Sequence, residues 1–162
     1  MQALFRHATL AAALLAASAG ASAAPLATVT FANPNNFSDV PHSSWEREEI
    51  FKELGDHFRK LAAKLPAGQE LTVEVLDLDL AGHVYPARYS AKDLRVLKGA
   101  ADWPHIKMRY TITEGGKVVR QGEENLSDMS YLQRHNRYRD DETLRYEKRM
   151  LDDWFKQRIA TQ

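Results

Sequence analysis

One stretch constrains this fold more than any other: a long amphipathic helix set between two segments that alternate like strands. Ile50, Phe51, Leu54, Phe58, Leu61, Ala62 and Leu65 recur at helical spacing and build a single apolar stripe. Ahead of them, Ser43-Ser44-Trp45-Glu46 has the spacing of a capping box, a hydroxyl and a carboxylate that satisfy each other's free amides. Behind them, Pro66-Ala67-Gly68 stops the helix. Upstream, Ala27 to Phe31 alternates, with Val29 and Phe31 on one side and Thr28 and Thr30 on the other, until Asn33-Pro34-Asn35-Asn36 ends it. A helix between two strands of one sheet implies a parallel pair joined by a right-handed crossover.

The strand after the helix, Glu70 to Leu80, carries a parity break. Leu71, Val73 and Val75 are its first apolar set, and Leu76, Leu78 and Leu80 its second. One extra residue between Val75 and Leu76, a β-bulge, would keep both sets on the core. The alternative is a strand covered on both faces, which would bury Thr72, Glu74, Asp77 and Asp79 as well. The bulge is the better reading.

Residues 83–104 read as irregular apart from a short strand at Leu94 to Leu97. A hairpin follows. Ile106, Met108, Tyr110 and Ile112 alternate with Lys107, Arg109, Thr111 and Thr113, and Gly115-Gly116 supplies the turn. Closure there pairs Ile112 with Val119, Tyr110 with Gln121, Met108 with Glu123 and Lys107 with Glu124. That register sets Gln121 and Glu123 beside the apolar residues of the partner strand, either as edge protection or as a polar notch in an apolar groove. Asn125 to Asp141 reads as a polar loop. A closing helix from about Glu142 to Ile159 buries Leu144, Met150, Leu151, Trp154, Phe155 and Ile159, with Asp140 and Asp141 at its positive end. The expected fold is therefore α+β, a two-layer sandwich of order β-α-β-(β)-β-β-α. Two helices lie on one face of a mixed, mostly antiparallel sheet, leaving Thr28, Thr30, Lys107, Arg109 and Thr111 on the other.

The first residues set the compartment. Arg6 precedes an apolar run, Ala8 to Ala19, and Ala21-Ser22-Ala23 has the small-x-small pattern of signal-peptidase cleavage. Residues 1–23 thus read as a signal peptide, and residues 24–162 as one domain in the periplasm. The apolar run, about a dozen residues, is shorter than the roughly 20 a membrane-spanning helix needs. With no cysteine in the chain, lipid attachment at a cleavage-site Cys, thiol redox chemistry, iron–sulfur clusters and cysteine zinc sites are all excluded. Lys and Arg number 22 against 22 Asp and Glu, so no global field steers the protein toward nucleic acid, and no nucleic-acid partner is expected.

Few residues suggest chemistry. Asp77 and Asp79 share a strand face and could hold a hard cation or act as an acid–base pair. The competing reading has them capping backbone amides or pairing with Arg88 or Arg95. His42, His57, His83, His105 and His135 lack zinc-site spacing. There is no Gly-x-Ser-x-Gly elbow, no Ser-x-x-Lys and no phosphate-cradling loop, so no cofactor is expected. Tyr131 to Arg139 interleaves three arginines with two tyrosines. It reads either as a contact for envelope anions or as a connector whose arginines pair with Asp140, Asp141 and Glu142.

Four segments together carry a resemblance: Asn36-Phe37-Ser38-Asp39-Val40, Leu61 to Gly68, Asp77-Leu78-Asp79-Leu80-Ala81-Gly82, and Leu144 to Phe155. With these the chain resembles domain-of-unknown-function family 3016, small exported proteins of Gram-negative bacteria. The resemblance spans nearly the whole mature chain and implies no activity. In element order alone the chain is similar to small envelope-assembly subunits that work by binding. The expected function is a non-catalytic periplasmic binding or accessory protein, its partner an envelope protein or a glycan or lipid. Its candidate binding residues are Asp77, Asp79, Gln121 and Glu123. The alternatives are a metal-assisted hydrolase using Asp77 and Asp79, with Asp39 or Asp128 nearby, and a small-ligand carrier with a pocket near Tyr110 and Glu123.

Overall fold

Hydrophobic periodicity becomes architecture in a computed structural model that describes residues 27–85 and 94–160. The expected signal peptide and Arg88 lie outside the described residues. The elements run β1 (Ala27–Phe31), α1 (Ser44–Ala62), β2 (Gln69–Asp79), β3 (His83–Tyr85), β4 (Leu94–Val96), β5 (His105–Glu114), β6 (Lys117–Ser127) and α2 (Arg145–Trp154). A 3₁₀ turn over Pro34–Asn36 precedes α1, and a π-helical turn over Phe155–Ile159 prolongs α2. The main sheet has the order β1-β2-β5-β6, with β1 parallel to β2 and the other pairs antiparallel. The class is α+β, as the periodicities require.

α1 starts at its cap: Ser43 Oγ accepts from the Glu46 amide at 3.5 Å. Its stripe turns Leu54, Phe58 and Leu61 onto Leu71, Val73 and Val75 of β2 and Met108, Tyr110 and Ile112 of β5, all within one buried cluster. α2 joins the same cluster through Leu151 and Trp154. The Trp154 ring meets Phe58 of α1 at 6.5 Å and Tyr110 of β5 at 5.3 Å, so both helices lie on one face. Burying one such side chain contributes about 1.5–3 kcal/mol, which is why the stripe dictates the layers.

The bulge in β2 is where the parity break puts it. Val75 pairs with Met108 and Asp77 with Lys107, leaving Leu76 as the extra residue. Other expectations need correction. His83 to Tyr85 forms β3 and pairs with β4 in a separate two-stranded sheet, so the order gains a strand. Strand β6 runs on to Ser127, which shortens the polar loop. α2 begins at Arg145 rather than near Glu142, because Leu144 is left-handed at φ 55 and breaks the helical path.

The largest correction concerns the hairpin register. Glu114 pairs with Lys117 and Thr113 with Val118, but Ile112 then meets Arg120, with Val119 left as the extra residue of a second bulge. Tyr110 therefore opposes Gly122, not Gln121, and Met108 opposes Glu124, not Glu123. The reason is packing. A Cβ at Gly122 would come within 2.9 Å of the Tyr110 ring, so only glycine leaves room for that aromatic beneath β6. The bulge also turns Leu126 toward the core and sends Gln121 and Glu123 to the opposite face.

Candidate functional site

The four residues singled out from the sequence fall in two places. Asp77 and Asp79 sit past the bulge at the end of β2, and Gln121 and Glu123 sit on the outer face of β6.

Asp77 organises backbone. Its Oδ1 accepts from the Ser38 amide at 2.8 Å and from the Leu78 amide at 2.9 Å, and its Oδ2 accepts from the Ser38 hydroxyl at 2.6 Å. The segment it fixes makes a parallel bridge between Asp39 and Asp79. Asp39 faces Arg95 of β4 in a two-pronged ion pair, Nη1 to Oδ2 at 2.8 Å and Nη2 to Oδ1 at 3.2 Å. Arg95 also donates to the carbonyls of Leu80 and Gly82, pinning the small sheet to the end of β2. The expected choice between capping and pairing is thus divided: Asp77 caps, while Arg95 takes Asp39.

Asp79 has a different neighbour. Trp103 Nε1 donates to His105 Nε2 at 2.8 Å, so a neutral His105 ring carries its proton on Nδ1, which faces Asp79 Oδ2 at 3.5 Å. Burial is the main cause that raises the Asp79 carboxyl above its ordinary range. His105 works against that rise, and the charges of Asp39 and Asp77 add to it. Asp128, the other suggested companion, lies elsewhere, buried against Arg149. Among the described residues no group of three or more His, Asp or Glu side chains is arranged to hold a metal ion.

The outer sheet face holds the second pair. One row runs straight across all four strands as Thr28, Thr72, Thr111 and Gln121; the next runs as Thr30, Glu74, Arg109 and Glu123. Arg109 bridges Glu74 at 3.0 Å and Glu123 at 3.1 Å, and Lys107 reaches Glu123 at 3.2 Å. Lys107 and then Arg109 hold the Glu123 carboxyl below its usual range, while Glu123 and Glu74 hold the Arg109 guanidinium above its own. Glu123 is therefore a neutralised member of a lattice, not a notch beside Tyr110. On the inner side, the Trp154 ring packs edge-on against Tyr110 at 5.3 Å.

A groove of about 790 Å³ opens instead between the start of α1 and the small sheet, with Asp39, Glu46, Glu49, Val84 and Arg95 in its walls. Nothing in the sequence pointed to it, since its walls come from four separate segments.

The Arg/Tyr loop is spent on internal bonds. Arg134 pairs with Asp128 and Asp153, Arg137 with Asp152, and only Arg139 takes one of the expected partners, Asp141. Burial, and then Asp152, push the Tyr138 hydroxyl up to about 12, so it stays protonated and donates to Asp152.

No helix among the described residues is long and apolar enough to cross a membrane. No curated protein and no solved structure matches the chain. One family does, over residues 26–157, under the description "Protein of unknown function (DUF3016)".

Proposed function

The chain belongs to the DUF3016 family, and we propose that it is a non-catalytic periplasmic binding or accessory protein that meets a protein partner through its outer sheet face. The observation that carries this reading is the face itself. No described helix packs on it, because α1 and α2 both join the opposite side. Strands about 4.8 Å apart and ten or eleven residues long present a surface on the order of 500 Å². That approaches the roughly 800 Å² per side of a standard interface and suits a transient, polar one. Its hydroxyl and amide row offers both donors and acceptors, and its charges are already matched in pairs. The complementary partner surface is therefore polar and near neutral, and recognised by hydrogen bonds. Two of the carboxylates with catalytic potential support the same conclusion, since Asp77 and Asp39 have their oxygens engaged by Ser38 and Arg95.

A photocrosslinker at Thr72 or Thr111, tested in cells of the source organism, should capture one discrete protein, while the same group at Lys60 on α1 should not. Capture of the same diffuse set from every position would refute the outer-face reading. The compartment has its own test: the exported protein should begin at Ala24, and a retained Met1 would rule the periplasmic assignment out.

A further inference from the structure

The sheet ends at β6, and among the described residues no strand pairs with its outer edge along Lys117–Ser127. The opposite edge strand, β1, is five residues long, whereas β6 has eleven. A long open edge invites another strand, and native proteins either blunt such edges or use them. β6 carries both a bulge at Val119 and an inward-facing charge at Glu124, which discourage indiscriminate pairing. Those same residues define one register in which the edge is complementary to itself.

We propose that β6 pairs antiparallel with β6 of a second copy of this chain, on a two-fold axis through Gly122, joining two four-stranded sheets into one of eight strands. In that register Gly122 opposes Gly122 of the second copy, Gln121 opposes Glu123, and Arg120 opposes Glu124. Directly opposed residues of an antiparallel pair point to the same face, so the helices of both copies lie on one side of the joined sheet.

Charge selects the register. Moving the axis to residue 120 sets arginine against arginine, and moving it to 123 or 124 sets glutamate against glutamate. An axis at 121 leaves Arg120 facing glycine. The axis at Gly122 gives two opposite-charge pairs, Arg120 with Glu124 and its symmetry mate, and sets no like charges against each other. On the outer face, Glu123 is already neutralised by Lys107 and Arg109, so its approach to Gln121 of the other copy meets no net repulsion. At the axis no side chain projects from Gly122, and the Tyr110 ring of the same copy covers its inner side. The regular segment, residues 120–124, has as many positions as the five that join β1 to β2. This pairing uses the edge and not Thr72 or Arg109, so the outer-face reading stands or falls separately.

The experiment is a charge exchange on the full mature protein, read by sedimentation velocity and native mass spectrometry up to roughly 100 µM protomer. The native protein should dimerise. Glu124→Arg alone and Arg120→Glu alone should each weaken the dimer at least tenfold by placing like charges opposite one another. Mixed, the two variants should recover a heterodimer in which both pairs are opposite in sign. Arg120 also donates to the Arg158 carbonyl at 2.7 Å and the Ile159 carbonyl at 3.2 Å. If Arg120→Glu fails to fold by circular dichroism, Arg120→Gln replaces it in the mixture, where one restored pair still favours the heterodimer. A native protein that stays monomeric across that range overturns the proposal. So do single variants that dimerise as tightly as the native chain, or a mixture with no heterodimer.

Discussion

Removing the Asp128 carboxylate should do more damage than removing any exposed carboxylate of the same loop. Asp128 is 6% exposed and Arg149 5%, and the two form an ion pair linking the loop after β6 to α2. Asp128→Ala takes away that contact, the Arg134 pair at 3.3 Å, and the acceptor for the Ser130 amide at 3.2 Å. Arg149 keeps its bonds to the carbonyls of Arg134 at 2.8 Å and Tyr131 at 3.0 Å, but those acceptors are neutral, and a buried cation is left without a counter-charge. Breaking a buried pair from one side costs about 3–5 kcal/mol. With the carbonyl bonds retained and the Ser130 cap lost, we expect about 4 kcal/mol, a fall in Tm of roughly 10–20 °C. Asp128→Asn keeps an acceptor oxygen in place and exchanges a charged hydrogen bond for a neutral one, a loss of about 1–2 kcal/mol. Asp141→Ala removes the partner of Arg139, a pair 72% and 82% exposed, and should cost less than about 0.5 kcal/mol. Urea unfolding followed by circular dichroism ranks the three, provided the slopes agree. If Asp141→Ala proves as damaging as Asp128→Ala, or Asn as damaging as Ala at 128, the reasoning from burial and charge is wrong.

Gly122→Val should destabilise by about 1–3 kcal/mol through collision with Tyr110, and pairing it with Tyr110→Ala should recover part of that loss in the same assay. One half-buried and one buried carboxylate should give opposite pH signatures. Burial alone would raise the Asp152 carboxyl, but His57, Tyr138 and Arg137 together hold it below its ordinary value. Its stabilising contribution is therefore full above about pH 4 and is lost as pH falls through the depressed folded value; Asp152→Asn should flatten that acid limb of a stability–pH curve. Burial raises the Glu147 carboxyl, which accepts from the Ala81 amide at 2.8 Å, so it opposes folding increasingly as pH climbs above about 4.5. Glu147→Gln should thus gain on the native protein from acid toward neutral pH, and a loss that grows with pH would contradict the sign.

How much of this was legible in the sequence depends on whether a signal was local. The α1 stripe, its Ser43 cap and the β2 bulge were readable because each is written in neighbouring side chains. The β6 bulge was not. Lys117-Val118-Val119-Arg120 has no alternation to break, and its register is set by the Tyr110 ring reaching Gly122 from the next strand. The three residues of β3 carry too little pattern to stand out, and β3 forms only by pairing with β4. The partners of the candidate site residues were illegible for the same reason. Which carboxylate Arg95 or Arg137 takes depends on loops that bring Asp39 and Asp152 to them from 56 and 15 residues away. Residue spacing could say that Asp77 needed a partner, but not that Ser38 was waiting for it.

The aromatic junction over the sheet gives the protein an optical reporter of its own. Trp154 is 3% exposed and wedged between Phe58 and Tyr110, whereas Trp45 is 56% exposed. Its emission should be blue-shifted relative to that of Trp45, and excitation of Tyr110 should pass to it across 5.3 Å. Detaching the closing helix would quench that transfer and redden the Trp154 component, while Trp45 and Trp103, which packs beside His105, supply a background against which the change is read. Separation of the two layers can therefore be followed in the unmodified chain, with no label attached.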